Sequence, residues 1–291
     1  MNEIAKIGTQ QLILILLGAA IFILIPILIA VVWKIRKKEP FSTILIGAAT
    51  FLIFAIVLEK PLQAILIAPT AMGLKEHAFS SFVNARPLLW SVIAGLFPGI
   101  FEETGRFIAY KTLLKNRKNR ETSISHGIGH GCVEVIYIMG ITYITNIVYV
   151  LMINSGEFTA MIDQVKALAP QQADQMYVIA GQLAAFSAGD LILGLLERVF
   201  AVLFHIGASI LVFYACRDKK HFGLYPLAIA LHTAMDFTAA LYLSGTVNMP
   251  MWVLEVITAL FGIVTFACAY VLLYRKDSAV MPVESPSSVN T

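Results

Sequence analysis

Charge is what this sequence has least of. Lys, Arg, Asp and Glu supply 13% of its 291 residues, against about 25% in an average soluble domain. With 58% hydrophobic residues and a mean hydropathy of +0.80, that shortage excludes a soluble enzyme and a disordered chain. The net charge of +3 is too small to suggest a nucleic-acid partner. Cysteine is scarce too. Cys132, Cys216 and Cys268 are an odd set, lie in or beside apolar stretches and lack framework spacing, so no disulfides are expected. There is no HExxH zinc motif, no phosphate-cradling glycine loop and no internal repeat.

What the chain does have is long apolar runs. A membrane-crossing helix needs about 20 such residues, and on that measure there are about seven spans: Gln11–Trp33, Phe41–Leu58, Leu88–Leu114, Ser123–Met152, Asp190–Cys216, Tyr225–Ser244 and Met251–Tyr274. The expected fold is an all-α, polytopic membrane protein. The first run is too long for a signal-peptide core and ends in a basic stop signal, so it is expected to stay.

Basic residues mark the sides of the membrane. One set of loops holds Lys34, Arg36, Lys37, Lys38, Lys111, Lys115, Arg117, Lys118, Arg120, Arg217, Lys219, Lys220, Arg275 and Lys276; the other holds only Lys6, Lys60, Lys75 and Lys166, with Arg86 at its edge. The positive-inside rule puts the first set in the cytoplasm, the N-terminus outside and the C-terminus inside. The organisation read from this is N-terminal spans and an outer loop over 1–87, a four-helix catalytic core over 88–250, a last span over 251–276 and a disordered cytoplasmic tail over 277–291. The outer loops Glu59–Pro87 and Ile153–Gly189 mix apolar and polar residues and suit interfacial helices. A short eighth or re-entrant segment between Pro61 and Leu74 is left open.

Ionisable residues fall inside these spans: Glu102, Glu103, Arg106, His126, His130, Glu134, Asp190, Glu197, Arg198, His205, His232 and Asp236. A charge at mid-bilayer costs at least about 2.5–3.5 kcal/mol, so such a set must face inward or line a wet cavity, and a functional site is the default reading. Depth sharpens it. Measured from the basic residue ending its own span, Glu102 lies about 20 Å in, His130 about 15 Å, and His205 and His232 about 18 Å. A carboxylate and three imidazoles on four helices share one layer.

Residues four apart share a helix face. That pairs Glu102 with Arg106, His130 with Glu134, and His232 with Asp236. Cys132 points about 200° from His130, which argues against a cysteine nucleophile. Arg106 would keep Glu102 ionised and able to take a proton from water. The histidines would hold that water, donate to an oxyanion or protonate a leaving amine. Glu134 and Asp236 would fix imidazole tautomers. These are the parts of a peptide-bond hydrolase without a protein nucleophile. Simpler readings apply to other residues. A lone intramembrane histidine more often bonds between helices. Glu197 and Arg198, near the outer end of their span, are given a structural or gating role, and Asp190 and Glu255 an interfacial one.

The sequences Glu102-Glu103-Thr104-Gly105-Arg106, His130-Gly131-Cys132-Val133-Glu134, His205 and His232-Thr233-Ala234-Met235-Asp236, in order on successive spans, resemble the YhfC family. That family is a bacterial branch of the glutamic-type intramembrane proteases, related to the CAAX prenyl proteases, the PrsW proteases and the scaffold subunit of γ-secretase. The resemblance implies a multi-pass protease of the bacterial cell membrane, in which a glutamate of the double-Glu motif activates water and the later histidines bind it and stabilise the oxyanion. Carried over, Glu102 is the base and His130, His205 and His232 its partners. The prenyl proteases have three residues between the double Glu and the Arg; here only Thr104 and Gly105 intervene. The closer match is the PrsW-like spacing, and the choice between Glu102 and Glu103 stays open.

The expected activity is therefore an endopeptidase acting on a membrane protein or lipid-anchored peptide, with no cofactor. The YhfC branch has also been described as metalloprotease-like, so the alternative is a zinc enzyme using His130, His205 and His232 as ligands. A further alternative is a proton-coupled transporter, against which this sequence shows neither the repeated half nor the broken helices such folds use. A non-catalytic scaffold would not need the full set of glutamates and histidines.

Overall fold

The computed structural model describes residues 4–168 and 170–277, and among these every regular element is helical. The chain is a polytopic membrane protein. Six helical stretches are long and apolar enough to cross a bilayer: Thr9–Lys37, Phe41–Ile67, Glu121–Ser155, Ala188–Arg217, Lys219–Leu243 and Met251–Tyr274. The expected seventh is present as a 25-residue helix, Pro87–Lys111. It is not among the six, and it is the helix that carries Glu102, Glu103 and Arg106. The expected tail lies outside the described residues except for Asp277, which accepts from Tyr214 at 2.8 Å and pairs with Arg217.

The helices are α1 (Thr9–Lys37), α2 (Phe41–Phe51), α3 (Lys60–Ile67), α4 (Ala78–Asn84), α5 (Pro87–Lys111), α6 (Glu121–Val135), α7 (Ile141–Ser155), α8 (Glu157–Leu168), α9 (Pro170–Ala185), α10 (Ala188–Arg217), α11 (Leu224–Leu243) and α12 (Met251–Ala269). The described residues fall into two compact units, one drawn from the stretches before Ala30 and from Cys132 to Val199, the other from Ala30 to Gly131 and from Phe200 onward. In the first unit, Tyr143 packs on Phe22 with ring centroids 5.1 Å apart, and Asn154 grips both backbone groups of Ile7 at 2.8 and 3.1 Å. The outer loop expected between the fourth and fifth spans is largely helical there, as α8 and α9.

The second unit holds every residue of the candidate site except Glu134. Phe41–Ile67 is one continuous run in which a π-helical stretch, Leu52–Glu59, joins α2 to α3. The sequence suggested an exit at Leu58, because Glu59-Lys60-Pro61 reads as a loop. Pro61 instead sits in the first turn of α3, where a missing N–H costs nothing. The separate segment considered after Pro61 is thus largely a continuation of the second span. Pro98 lies inside α5 and cannot donate to the carbonyl of Ala94; Gln63 of α3 donates to that oxygen instead, at 3.1 Å.

Close helix crossings in this unit depend on glycine. A Cβ on Gly129 of α6 would lie 1.9 Å from the carbonyl oxygen of Ile44 in α2, so only hydrogen fits. This small-residue contact is the usual way membrane helices approach. It presses α6 inward and leaves His126 and His130 fully buried.

At one end of the unit the basic loops gather. Arg117 donates to Ser42 at 3.2 Å, Lys111 to the carbonyl of Cys216 at 2.9 Å, and Arg120 to the carbonyl of Asp277 at 2.7 Å. Glu39 is buried among them. It accepts from Asn119, and Ser125 lies 3.5 Å away. Burial pushes its carboxyl above the usual 4.5, against the Asn119 hydrogen bond and the nearby Arg117 charge.

Candidate active site

Three helices meet around one carboxylate. Glu102 of α5 lies with its Oε2 2.8 Å from Nε2 of His130 in α6 and 4.0 Å from Nε2 of His232 in α11. The adjacent Glu103 points to a different set of partners. Its Oε1 accepts from Arg106 Nη1 at 2.5 Å and from Nδ1 of His232 at 2.8 Å. Arg106 then reaches α10, where its Nη2 lies 2.7 Å from Nδ1 of His205. Glu103, Arg106 and His130 are wholly buried, and Glu102, His205 and His232 nearly so. The common layer of Glu102, His130, His205 and His232 inferred from depth is present, with His130 and His205 ring centroids 4.9 Å apart and His205 and His232 5.4 Å apart.

The expected partners are not always the shortest contacts. His232 and Asp236 are 3.4 Å apart, as their spacing suggested. Arg106, expected beside Glu102, is 3.8 Å from it and makes its short contact with Glu103. Glu134, expected to orient His130, is bonded to Arg198 at 3.3 Å in the other unit, where Arg198 also pairs with Glu197. Helical periodicity names the residues on a face but not which neighbouring helix claims each one. His126, one turn from His130, lies 3.3 Å from Thr50 and 3.1 Å from Ser209, a bridge between helices.

Donor and acceptor chemistry fixes the tautomers. Arginine only donates, so His205 Nδ1 accepts and its Nε2 carries the ring proton. Ionised Glu103 only accepts, so Nδ1 of His232 carries a proton. His130 donates from Nε2 to Glu102, which leaves the lone pair on Nδ1. That atom is buried and has no hydrogen-bond partner among the described residues. Close to Glu102 there is thus one unused acceptor, on His130. Nε2 of His232 faces two carboxylates, and a cation between them would satisfy all three groups.

The donor set fits a divalent ion. Glu102, His130 and His205 offer ligand atoms within 4.8 Å of one another, and two imidazoles with a carboxylate are a normal zinc set. This differs from the three-histidine set expected from sequence, because His232 is turned towards Glu103 and Asp236. His205 would ligate only on releasing Arg106.

Two residues of the second span escaped sequence reasoning. Glu59 is fully buried and ion-paired with Lys60 at 3.1 Å. The signal that would have found them was the apolar stretch Leu62–Ile67, which extends the span beyond them.

A curated relative in Bacillus subtilis (strain 168), an "Uncharacterized membrane protein YhfC", is 32% identical over 258 residues, which is 87% of this chain and 93% of the relative. No solved structure matches. The family model described as "YhfC intramembrane metalloprotease" matches residues 21–258. The expectation that no metal takes part finds no support in that description or in the donor set. By the extent of both matches, the chain belongs to the YhfC family.

Proposed function

We propose that this protein is an intramembrane endopeptidase that cleaves a membrane protein or lipid-anchored peptide, with Glu102 taking the proton of the attacking water. The supporting observation is the convergence of His130 and His232 on Glu102 inside a buried layer. Hydrogen bonding from His130 orients the Glu102 carboxylate towards its task. His205, its tautomer set by Arg106, has an Nε2–H to offer a developing oxyanion. His232, held at Nδ1 by Glu103, has Nε2 next to Glu102 and Asp236, where it can pass the proton on to the leaving amine. Glu103 and Arg106 are positioning residues that lock two imidazoles at once.

His130 and His205, with Glu102 beside them, are the residues that would hold the metal implied by the family description; bound there, it would supply Lewis-acid charge to the scissile carbonyl and the water. A metal-free reading, in which protein donors alone supply that charge, is favoured by one observation: Arg106 already uses Nδ1 of His205. In either reading the protein sits with its basic end in the cytoplasm and its N-terminus outside.

The test compares membrane proteomes of cells carrying the wild type or Glu102→Gln. Loss of cleavage products with Glu102→Gln, in a protein that still purifies as one species, is the expected result; removing a general base typically costs about 10²–10⁴-fold. Unchanged products would end the proposal, and loss with Glu103→Gln alone would move the role to Glu103. Metal analysis of the active protein separates the two readings. About one divalent ion per chain, lost on His130→Ala, supports the metal one; full activity after chelation supports the other.

A further inference from the structure

The second span brings charge to the site that the mechanism above leaves unused. Two contacts fix how it lies along α5. Gln63 bonds the carbonyl of Ala94, and a Cβ on Gly105 would lie 2.6 Å from the Phe54 ring. Interpolating between them, Lys60 falls opposite Phe97 and Pro98. The partner on the other flank is α11, where Cβ atoms on Gly95 and Gly99 would lie 2.5 Å from Phe237 N and 2.3 Å from Thr233 Oγ1. That register puts Asp236 opposite Leu96. Lys60 and Asp236 are therefore within about 3 Å of one level, roughly one to two helical turns from Glu102.

The charges in this part of the unit do not balance. Glu59, Glu102, Glu103 and Asp236 are four carboxylates against two strong bases, Arg106 and Lys60, and the one imidazole in contact with three of them, His232, so negative charge is in surplus even when that imidazole is protonated. A buried surplus is costly until cations or protons offset it. Glu59 is fully buried, whereas the Lys60 side chain is 54% exposed. One Glu59 oxygen holds Lys60, and the other has no hydrogen-bond partner among the described residues. The ammonium of Lys60 also feels the attraction of Glu102 and Asp236.

We propose that Lys60 is a tethered cation that competes for the Asp236 and Glu102 carboxylates, and that Glu59 holds it back so that the site stays open to a divalent ion. Four flexible methylenes let the ammonium turn from Glu59 to Asp236 at the same level. While it is bonded to Glu59, the pair is neutral and the surplus charge of the site remains available. Once released, it fills part of that surplus and weakens the attraction for a second cation. The proposal rests on the metal reading of the site only in naming what Lys60 competes with.

The experiment uses the full chain in detergent as wild type, Glu59→Gln, Lys60→Met and the double variant, with zinc as the probe. Glu59→Gln is expected to weaken zinc binding by about tenfold or more, because one unpaired charge roughly one to two turns away acts through a poorly screened medium. Adding Lys60→Met should restore it, which also separates competition from misfolding. A second measurement needs no metal: carbodiimide joins amines to adjacent carboxylates, and peptide mass spectrometry maps the amide. Glu59→Gln should raise the Lys60–Asp236 cross-link several-fold. Unchanged zinc affinity in Glu59→Gln, or failure of Lys60→Met to restore it, overturns the competition. If no variant binds zinc, the metal reading fails, and the cross-link alone decides whether Lys60 is tethered as described: its absence in Glu59→Gln overturns the proposal.

Discussion

Arg106 and His205 form a bond that only one tautomer allows. The guanidinium has nothing to accept with, so the imidazole must receive it at Nδ1, 2.7 Å away. The same arginine grips Glu103 at 2.5 Å, so one side chain ties α5 to α10 and holds a carboxylate that is itself wholly buried.

Replacing Arg106 should therefore cost stability and chemistry separately. Arg106→Met leaves Glu103 with its charge uncompensated by arginine and should destabilise the protein by about 3–5 kcal/mol, read as a lower melting temperature in detergent. Adding Glu103→Gln should recover much of that stability without recovering cleavage. Arg106→Lys keeps the charge but loses the planar fork that serves two partners; cleavage should fall about 100-fold with a smaller change in melting.

Glu39 predicts a pH effect away from the site. Burial raises its carboxyl above 4.5. A group raised on folding contributes stability that is complete below its unfolded value and is lost as pH rises through its folded value. The wild type should therefore lose stability relative to Glu39→Gln as pH rises from about 4.5, and at neutral pH the variant should match or exceed it. Melting curves of both proteins between pH 4 and 8 check this; a Glu39→Gln variant that weakens progressively with rising pH, relative to wild type, contradicts it.

Much of this was legible in the sequence because a bilayer leaves few choices. Burying Glu102, His130, His205 and His232 at a common depth follows from counting residues to the nearest basic loop. The His232–Asp236 pair follows from helical period. The Glu102–Arg106 ion pair follows from it too, at 3.8 Å, whereas the contacts of Arg106 with His205 and of Glu134 with Arg198 were not foreseen, because each depends on a neighbouring helix of which single-helix geometry has no knowledge. Glu59 and Lys60 were missed for a different reason: two charges and a proline look like the end of a span, yet Pro61 occupies a first turn, where helices accept it.

Gly129 tests the packing that encloses the histidines. Gly129→Ala would place a methyl 1.9 Å from the Ile44 carbonyl oxygen, and backbone has to move to admit it. The expected loss is about 1–3 kcal/mol, as for overpacked cores. Gly181→Ala in α9 meets nothing within 4 Å and should be neutral or slightly stabilising, since alanine is the better helix former. Similar melting of the two variants would refute the tight crossing of α6 and α2.

Orientation is open to a direct check. In a background without the three natural cysteines, a cysteine placed in Lys115–Arg120 should be labelled only from the cytoplasmic side, and one in Gly156–Asp163 only from outside. Labelling of both loops from one side would remove Glu121–Ser155 as a crossing.

Pro98 gives α5 a mechanical property that its length alone would not. An uninterrupted helix of 25 residues resists bending because many backbone hydrogen bonds must stretch together. Here the carbonyl of Ala94 is joined to the rest of the protein through the side chain of Gln63, and a single such bond is worth only about 0.5–1.5 kcal/mol. That side chain stands in for the missing backbone rung, while the turn bearing Glu102, Glu103 and Arg106 lies beyond the interruption. What holds the first half of α5 in line is therefore its packing on α11, where Ser91 donates to the carbonyl of Ala240 at 3.1 Å, more than the helix's own ladder.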